Sequence, residues 1–333
     1  VFQVSAEVVL DQLVGGAGND DRLAALSDTS NTNTWLITGL NEGSLQQGDA
    51  STAQNFSGFE GLNGNAATDI FRFAEDGRMT GGIDGGDGID ALDYSGRTSA
   101  INVVLDSPAS GTATGIGITF SSIERLTGSV YNPTTNNRDT IRSLADTNNW
   151  EFNESPGFST VNGFTFEGIE AAIGSLGSDT ASIFGKPTDD ALFSFISGPG
   201  DDLVTFSNAI IDGDIEIFAA RIGIIGSTFT NGEGRLVASG AGIASSGTSS
   251  LENYDLQLIA GSGSLTSPVS QQGGSLGKGN ILVGNGAILL ARSGDFGSPL
   301  DVSNFGFRTL TGGSTTIDLE PNTDPDASVV LDT

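Results

Sequence analysis

A segment rich in glycine and aspartate contains the side chains of this sequence that are best suited to chemistry. Asp84, Asp87, Asp90 and Asp93 recur there at every third position, and several glycines lie between them. Ca²⁺ binds about six to eight hard oxygen atoms, which aspartate carboxylates and backbone carbonyls can supply. Glycine allows those carbonyls to turn toward an ion. We therefore predict a Ca²⁺ site formed by these four aspartates.

A second stretch of this kind, residues 15–20, ends in Asn19 and Asp20, which we predict as further Ca²⁺ ligands. Both stretches are similar to the Gly-Gly-x-Gly-x-Asp nonapeptide that binds Ca²⁺ in RTX β-rolls. An RTX site is completed by the neighbouring repeat, however, and these two stretches lie far apart in the sequence. The alternative is structural, because glycine and aspartate also form tight corners without any metal. We expect no cofactor other than Ca²⁺.

The composition excludes several classes of function. Cysteine and histidine are both absent from the 333 residues, which excludes disulfides, thiolate or histidine metal sites and Ser-His-Asp triads. Acidic residues outnumber basic ones 41 to 13, for a net charge of −28, so we expect no nucleic-acid partner. The longest apolar stretches, such as residues 287–291, are far too short to cross a bilayer, and we expect no membrane insertion.

One pattern occurs three times: Phe, two small or polar residues, Phe or Ile, Glu, and Gly four residues later. The copies begin at Phe56, Phe120 and Phe166, and their glutamates are Glu60, Glu124 and Glu170. A position that recurs argues against a single catalytic role, so we predict that these carboxylates accept hydrogen bonds from turn N–H groups or line one face of the fold. Short strands containing Trp35 and Trp150 precede two of the copies. We interpret both tryptophans as core residues of equivalent coils, with sugar stacking as the alternative.

The pattern predicts an all-β fold, namely a parallel β-helix (a solenoid) with short strands and Gly/Asn/Asp corners. Five apolar strands are expected after residue 196, within Asp214–Phe218, Asp255–Ile259, Asn280–Val283, Ala287–Leu290 and Thr316–Leu319. Strands this short, separated by glycine-rich turns, suit stacked coils better than a β-sandwich. Three segments are predicted as surface loops that contact a partner: Gln46–Asn55, Tyr131–Asn137 and Ser239–Ser250.

The repeats resemble those of filamentous-haemagglutinin-like exoproteins, which are large bacterial adhesins often exported by two-partner secretion. The resemblance is carried by residues 33–39 (Asn-Thr-Trp-Leu-Ile-Thr-Gly), 85–96 and 166–170, and by the strands of the last third. It implies a right-handed β-helix, a secreted or cell-surface location and no active site. The domain division that we expect is the end of a preceding coil or module in residues 1–30, degenerate β-helix repeats in residues 31–195 and a haemagglutinin-like β-helical shaft in residues 196–333.

The function expected from this resemblance is attachment, cell–cell cohesion or formation of a biofilm matrix. Its partners would be an extracellular polysaccharide or a surface receptor. A first alternative is a self-assembling extracellular fibre or surface-layer protein. A second alternative is a β-helical polysaccharide hydrolase or lyase, for which Asp189–Asp190 and Asp201–Asp202 are the available carboxylate pairs. Adjacent residues on a strand point to opposite faces, so neither pair can share a proton, and we expect no enzyme.

Overall fold

The computed structural model contains strands and turns but no helix among the residues that it describes. These are residues 1–4, 12–26, 32–50, 52–188, 191–246, 248–260, 281–283, 288–291, 316–319 and 329–332, with the backbone alone described from residue 239 onward. The chain divides into two units. Unit 1 comprises Val1–Leu144 and Asn162–Ile169, and unit 2 comprises Ala145–Val161 and Glu170–Thr333.

The strands of unit 1 are short, and most have two to six residues. They are β1 (Phe2–Val4), β2 (Leu13–Val14), β3 (Arg22–Ala25), β4 (Asn33–Gly39), β5 (Glu42–Gln47), β6 (Gln54–Ser57), β7 (Gly61–Asn63), β8 (Asp69–Ala74), β9 (Ile83–Asp84), β10 (Ala91–Gly96), β11 (Asn102–Ser107), β12 (Ser110–Ala113), β13 (Phe120–Ser121), β14 (Arg125–Thr127), β15 (Thr140–Ser143) and β18 (Phe164–Glu167).

Parallel strands that pair in register align the core residues of unit 1. Strands β4, β8, β10, β14 and β18 pair in that order, and they place Trp35, Phe71, Leu92, Leu126 and Phe166 opposite one another. All five side chains are at most 1% exposed. Buried and more exposed side chains alternate along β8, so that every second side chain faces the interior. Each inward position therefore packs on the same position of the next turn of the chain.

A second parallel ladder in unit 1 joins β1, β3, β7, β9 and β13, and it aligns Leu23, Leu62, Ile83 and Phe120 in the core. Two antiparallel meanders interrupt the parallel pattern. Strand β5 pairs with both β4 and β6, and β12 pairs with both β11 and β13. The predicted loop at Gln46–Asn55 is therefore only partly correct. Its first and last residues belong to β5 and β6, because they pair across the meander.

The strands described in unit 2 are β16 (Asn149–Phe152), β17 (Ser159–Val161), β19 (Ala171–Ile173), β20 (Thr180–Gly185), β21 (Phe193–Ile196), β22 (Leu203–Asp212), β23 (Ile215–Ile225), β24 (Thr228–Ser246), β25 (Thr248–Ala260), β26 (Ile281–Val283), β27 (Ile288–Ala291), β28 (Thr316–Leu319) and β29 (Val329–Asp332). The longest of them are β22 to β25, in the middle of the sequence of this unit.

Three parallel ladders organise unit 2. One joins β16, β20, β22, β23, β24 and β26, a second joins β19, β21, β23, β24, β25 and β29, and a third joins β22, β24, β25, β27 and β28. In the second ladder Phe195, Ile217 and Leu236 are aligned and fully buried. Successive partners there lie about 20 residues apart, which is a typical solenoid repeat length. Strands β22, β23 and β24 each contribute to more than one ladder.

The five strands expected after residue 196 are confirmed, although β23 and β25 extend well beyond their predicted ends. The prediction of a loop at Ser239–Ser250 is wrong. Residues 242–246 pair in parallel with Arg221–Ile225, and residues 248–250 begin β25. Glycine, alanine and serine have low strand propensity, but pairing with an adjacent turn on each side outweighs it. The all-β fold and the mostly parallel pairing are confirmed, and both are consistent with a β-helix.

Candidate functional site

The most regular polar feature of the structure is a corner in which a buried aspartate joins two turns of the chain. At Asp179, which is 1% exposed, Oδ2 accepts a 2.7 Å hydrogen bond from the backbone N–H of Ser175. Oδ1 accepts bonds from the Ser175 hydroxyl at 3.0 Å and from the backbone N–H of Asn148 at 2.7 Å. The carboxylate thus accepts hydrogen bonds both from its own turn of the chain and from the preceding turn. We call this arrangement the aspartate corner.

A glycine is required where the aspartate corner begins in this part of unit 2. A Cβ added at Gly174 would collide with the backbone oxygen of Ser197 and with Oδ2 of Asp179. The chain can therefore come close to the next turn at this point only without a side chain. Ser197 also serves the following corner, since its hydroxyl donates a 2.7 Å bond to Oδ2 of Asp202.

Unit 1 contains the same corner at Asp69 and Asp139, which are both 0% exposed. The Asp69 carboxylate accepts bonds from the indole Nε1–H of Trp35 at 2.8 Å and from the backbone N–H of Asn65 at 2.9 Å. Asp139 accepts bonds from the backbone N–H groups of Ser129 and Ile101. Burial raises the pKa of both carboxyls, and the hydrogen bonds from these partners only partly offset that rise.

Asp90 is the most strongly perturbed carboxyl in unit 1. Its Oδ1 accepts a 2.7 Å bond from the backbone N–H of Asp69, whereas Oδ2 is buried and has no hydrogen-bond partner among the described residues. Burial, and then the negative charges of Asp69, Glu124 and Asp84, raise its pKa to about 7, although the bond from the Asp69 N–H opposes this. Asp90 can therefore exchange a proton near neutral pH.

The other three aspartates predicted as Ca²⁺ ligands in this segment differ in their surroundings. Asp87 is exposed and Asp84 is partly exposed. Asp93 is 8% exposed, and its Oδ2 forms an ion pair with Nε of Arg72 at 2.7 Å. Burial alone would raise the pKa of Asp93, but its bonds with Ser95 and Arg72 lower it on balance. The Asp93 carboxylate is thus already neutralised by a protein cation.

The second predicted Ca²⁺ stretch is exposed. Asn19 and Asp20 both face solvent, and Asp20 lies 4.0 Å from a guanidinium nitrogen of Arg22. Within the described ranges, no group of three or more acidic side chains has an arrangement that could hold a metal ion. Ca²⁺ binding by these residues stays a prediction.

The prediction for the repeated glutamates is confirmed for two of the three. Glu60 accepts the backbone N–H of Asp21, and Glu124 accepts that of Asp90, each at 2.8 Å. Glu170 is 3% exposed. Both tryptophans are fully buried, as expected for core residues; Trp35 stacks on Phe71 with 5.6 Å between ring centroids.

Three of the aspartates that form the corners, Asp69, Asp139 and Asp179, were not among the residues predicted from the sequence to form a site. Asp202 was considered only as half of a carboxylate pair, and Asp90 only as a Ca²⁺ ligand. A usable signal existed, because a glycine precedes the aspartate by five positions at Gly64–Asp69, Gly85–Asp90 and Gly174–Asp179. The RTX-like pattern includes Asp90 but also Asp84, Asp87 and Asp93, which are partly exposed, exposed and paired with an arginine, respectively. The same five-residue spacing, starting from Gly16, leads to Asp21, whose Oδ2 is buried without a hydrogen-bond partner among the described residues.

The structure describes one of the two carboxylate pairs considered for an enzyme, Asp201 and Asp202. Asp201 forms a 3.0 Å ion pair with Nε of Arg221 on the surface, whereas Asp202 is 0% exposed. One side chain thus lies at the surface and the other in the interior, although both residues precede β22 and do not belong to it. Burial raises the pKa of Asp202, and the negative charge of Asp179 adds to that rise. Asp189 and Asp190 lie outside the described residues.

The predicted contact loop at Tyr131–Asn137 is confirmed as an exposed loop between β14 and β15. Residues 133–136 are exposed, while Asn137 is buried. The Asn137 side-chain amide donates to the carbonyls of Thr98 at 2.8 Å and Val130 at 2.9 Å. Its Oδ1 accepts the backbone N–H of Asn132. One buried side chain therefore ties both ends of the loop to the body of unit 1.

Comparison with family models, with curated proteins and with solved structures finds no match to this chain. The resemblance to the secreted adhesins consequently rests on the repeat motifs alone. No helix in the described parts of the chain is long and apolar enough to span a membrane.

Proposed function

We propose that this chain is a segment of a secreted or cell-surface filamentous adhesin built on a right-handed parallel β-helix. In this proposal the β-helix is a stiff scaffold, and its surface loops bind an extracellular polysaccharide or a surface receptor. Attachment, cell–cell cohesion and biofilm matrix formation are the activities that follow from such a scaffold.

The observation that carries the proposal is the parallel register of successive turns within each unit. A ladder such as Phe195, Ile217 and Leu236 repeats one contact from turn to turn, so the backbone groups of the ladder are paired on both sides. A scaffold of this kind resists bending and presents its loops at fixed intervals. Weak contacts at several loops then add through effective concentration.

The buried aspartate corners support the same proposal. A domain without cysteine has no disulfide to resist unfolding outside the cell. The corners at Asp139 and Asp179 cross-link successive turns instead, through bonds from Ile101 and Asn148 of the preceding turn. Hydrogen bonds to a charged acceptor are the stronger kind, about 1.5–3 kcal/mol each.

An attachment assay tests the proposal directly. The purified chain, immobilised on beads, should retain the beads on polysaccharide-coated or cell-derived surfaces under flow. The control is beads that carry a globular protein of similar negative charge. Retention no better than the control on every surface would refute an adhesive function.

Electron microscopy and product analysis separate the alternatives. If the chain forms filaments at low concentration and does not attach, it is a self-assembling structural protein. Release of reducing sugar or of unsaturated product from a polysaccharide would establish an enzyme instead.

A further inference from the structure

The loop at Tyr131–Asn137 lies in an aspartate corner that contains six more residues than its counterpart in unit 2. Asp139 lies ten residues after Ser129, whereas Asp179 lies four residues after Ser175. Both aspartates nevertheless accept the backbone N–H and the hydroxyl of their serine, together with one backbone N–H from the preceding turn. The four-residue separation seen in unit 2 is therefore sufficient to form the corner. The six extra residues in unit 1 are not required for its hydrogen bonds.

Hydrogen bonds hold the extra residues in a defined loop conformation. Asn137 anchors both ends, as described above, and bonds between residues 131 and 136 hold the tip. The backbone N–H of Thr134 donates to Oδ1 of Asn132 at 2.9 Å, and that of Asn136 donates to the Asn132 carbonyl at 2.8 Å. The Tyr131 hydroxyl donates to Oδ1 of Asn136 at 3.3 Å. A loop that already holds its conformation loses little conformational entropy when it binds a partner.

The loop is one of several uncharged stretches of the chain, and Arg138 follows it directly. From Ser129 to Asn137 there is no charged residue, in a protein whose net charge is −28. Pro133, Thr134, Thr135 and Asn136 are exposed, and Tyr131 is partly exposed beside them. Tyrosine together with short amide and hydroxyl side chains is the combination that binding loops use for adaptable polar recognition.

We propose that the Tyr131–Asn136 loop is a binding surface for neutral polysaccharide, which names the partner class within the adhesive function proposed above and rests on it. Amide and hydroxyl groups match the hydroxyls of a hexose, and the tyrosine ring offers an apolar face to the C–H groups of a sugar ring. An acidic polysaccharide would be repelled by the net negative charge of the protein. Two arginines adjoin the loop. The Arg97 guanidinium donates to the Gly77 carbonyl and stabilises the buried Asp139 carboxylate, and Arg138, directly after the loop, is only partly exposed.

The chain itself supplies the test variant. Replacement of residues 130–138 by Leu-Gly-Ser, the residues between Ser175 and Asp179, converts the long corner into the short one and removes the loop. A second variant, Tyr131→Ala, removes the ring and leaves the corner unchanged. The matched control is Leu176→Ala, which alters a side chain that is 77% exposed at the short corner.

Binding is measured by affinity electrophoresis and biolayer interferometry with dextran, mannan and a β-glucan, and with polygalacturonate as the acidic comparison. We expect wild type and Leu176→Ala to bind at least one neutral polysaccharide equally well. Tyr131→Ala and the corner replacement should each weaken that binding by at least about tenfold, the loss expected for a binding hot spot. Circular dichroism establishes that each variant is folded, and Tyr131→Ala decides the question if the replacement does not fold.

Two results would overturn this inference and leave the adhesive function standing. In the first, both Tyr131→Ala and the corner replacement still bind neutral polysaccharide as wild type does. In the second, wild type attaches only to polygalacturonate or to a surface without carbohydrate. If wild type attaches to no surface at all, the proposed function fails together with the inference.

Discussion

The backbone N–H of Asp179 donates a 2.8 Å hydrogen bond to Oδ1 of Asp202, which lies 23 residues further along the chain. The carboxylate of Asp179 in turn accepts the backbone N–H of Asn148 in the preceding turn. Two buried aspartates therefore connect three successive passes of the backbone in unit 2. Asp69 and Asp90 repeat the relationship in unit 1, which makes these side chains part of the scaffold rather than of a surface site.

Removal of one corner carboxylate should destabilise unit 2 strongly. Asp179→Ala leaves the buried N–H groups of Asn148 and Ser175 without an acceptor, and each orphaned donor costs about 1–3 kcal/mol. We expect the free energy of unfolding to fall by about 3 kcal/mol or more in urea titrations. Asp146→Ala, at a nearby exposed position, should change it by less than about 0.5 kcal/mol. Equal effects of the two substitutions would contradict the role of the corner.

The close approach at Gly174 predicts a difference between two glycines of unit 2. Gly174→Ala forces a methyl group against the Ser197 carbonyl and the Asp179 carboxylate, so we expect a loss of about 2 kcal/mol or more. Gly223→Ala should be nearly neutral, since its nearest neighbour is a Thr205 side-chain atom at 3.5 Å. Thermal unfolding of the two variants side by side measures this difference. A neutral Gly174→Ala would show that successive turns can move apart at this point.

The raised pKa of Asp90 predicts that unit 1 loses stability as the pH rises. Its folded value of about 7 lies above the ordinary value of 3.8, so the folded state binds the proton more tightly. The resulting stabilisation is complete below about pH 4 and is lost as the pH rises through 7. Asp90→Asn mimics the protonated form and should flatten the dependence of the unfolding midpoint on pH between 5 and 8, in the presence of a chelator. Asp87→Asn, at an exposed position, should keep the wild-type profile, and a wild-type slope in Asp90→Asn would rule out Asp90 as its origin.

Ca²⁺ binding at Asp84–Asp93 is tested by isothermal titration after chelation. If the site exists, titration should release heat and raise the unfolding temperature, since a ligand that binds the folded state stabilises it. Asp84→Asn and Asp87→Asn should weaken both signals, because these carboxylates are the ones with access to solvent. Substitution of Asp212, an exposed aspartate of unit 2, provides the control. Absence of both signals in wild type would leave this segment a purely structural corner.

Local pattern was sufficient to predict the class of fold and much of the core. Trp35, Trp150 and the repeated phenylalanines are buried as their large apolar side chains require, and the strands after residue 196 lie close to where alternation placed them. Strand ends were less accessible to prediction, because pairing with the next turn extends a strand beyond its apolar run. The glycine- and serine-rich residues 239–250 are the clearest example, since no local signal indicates a strand there.

The candidate site, like the fold, was determined partly by the sequence alone and partly by the tertiary structure. The sequence alone determined that this acidic chain, without cysteine or histidine, would rely on aspartate, glycine and asparagine for its polar chemistry. It also determined that a neutral polar loop would separate two short strands at Tyr131–Asn137. Only the tertiary structure decided which aspartates are buried, because burial depends on the register between turns that lie 20 to 40 residues apart. That register directs Asp90 and Asp179 inward and leaves Asp87 in solvent. The five-residue spacing from a glycine marks Asp90 and Asp179 in the sequence, but only the pairing between turns places them in the interior.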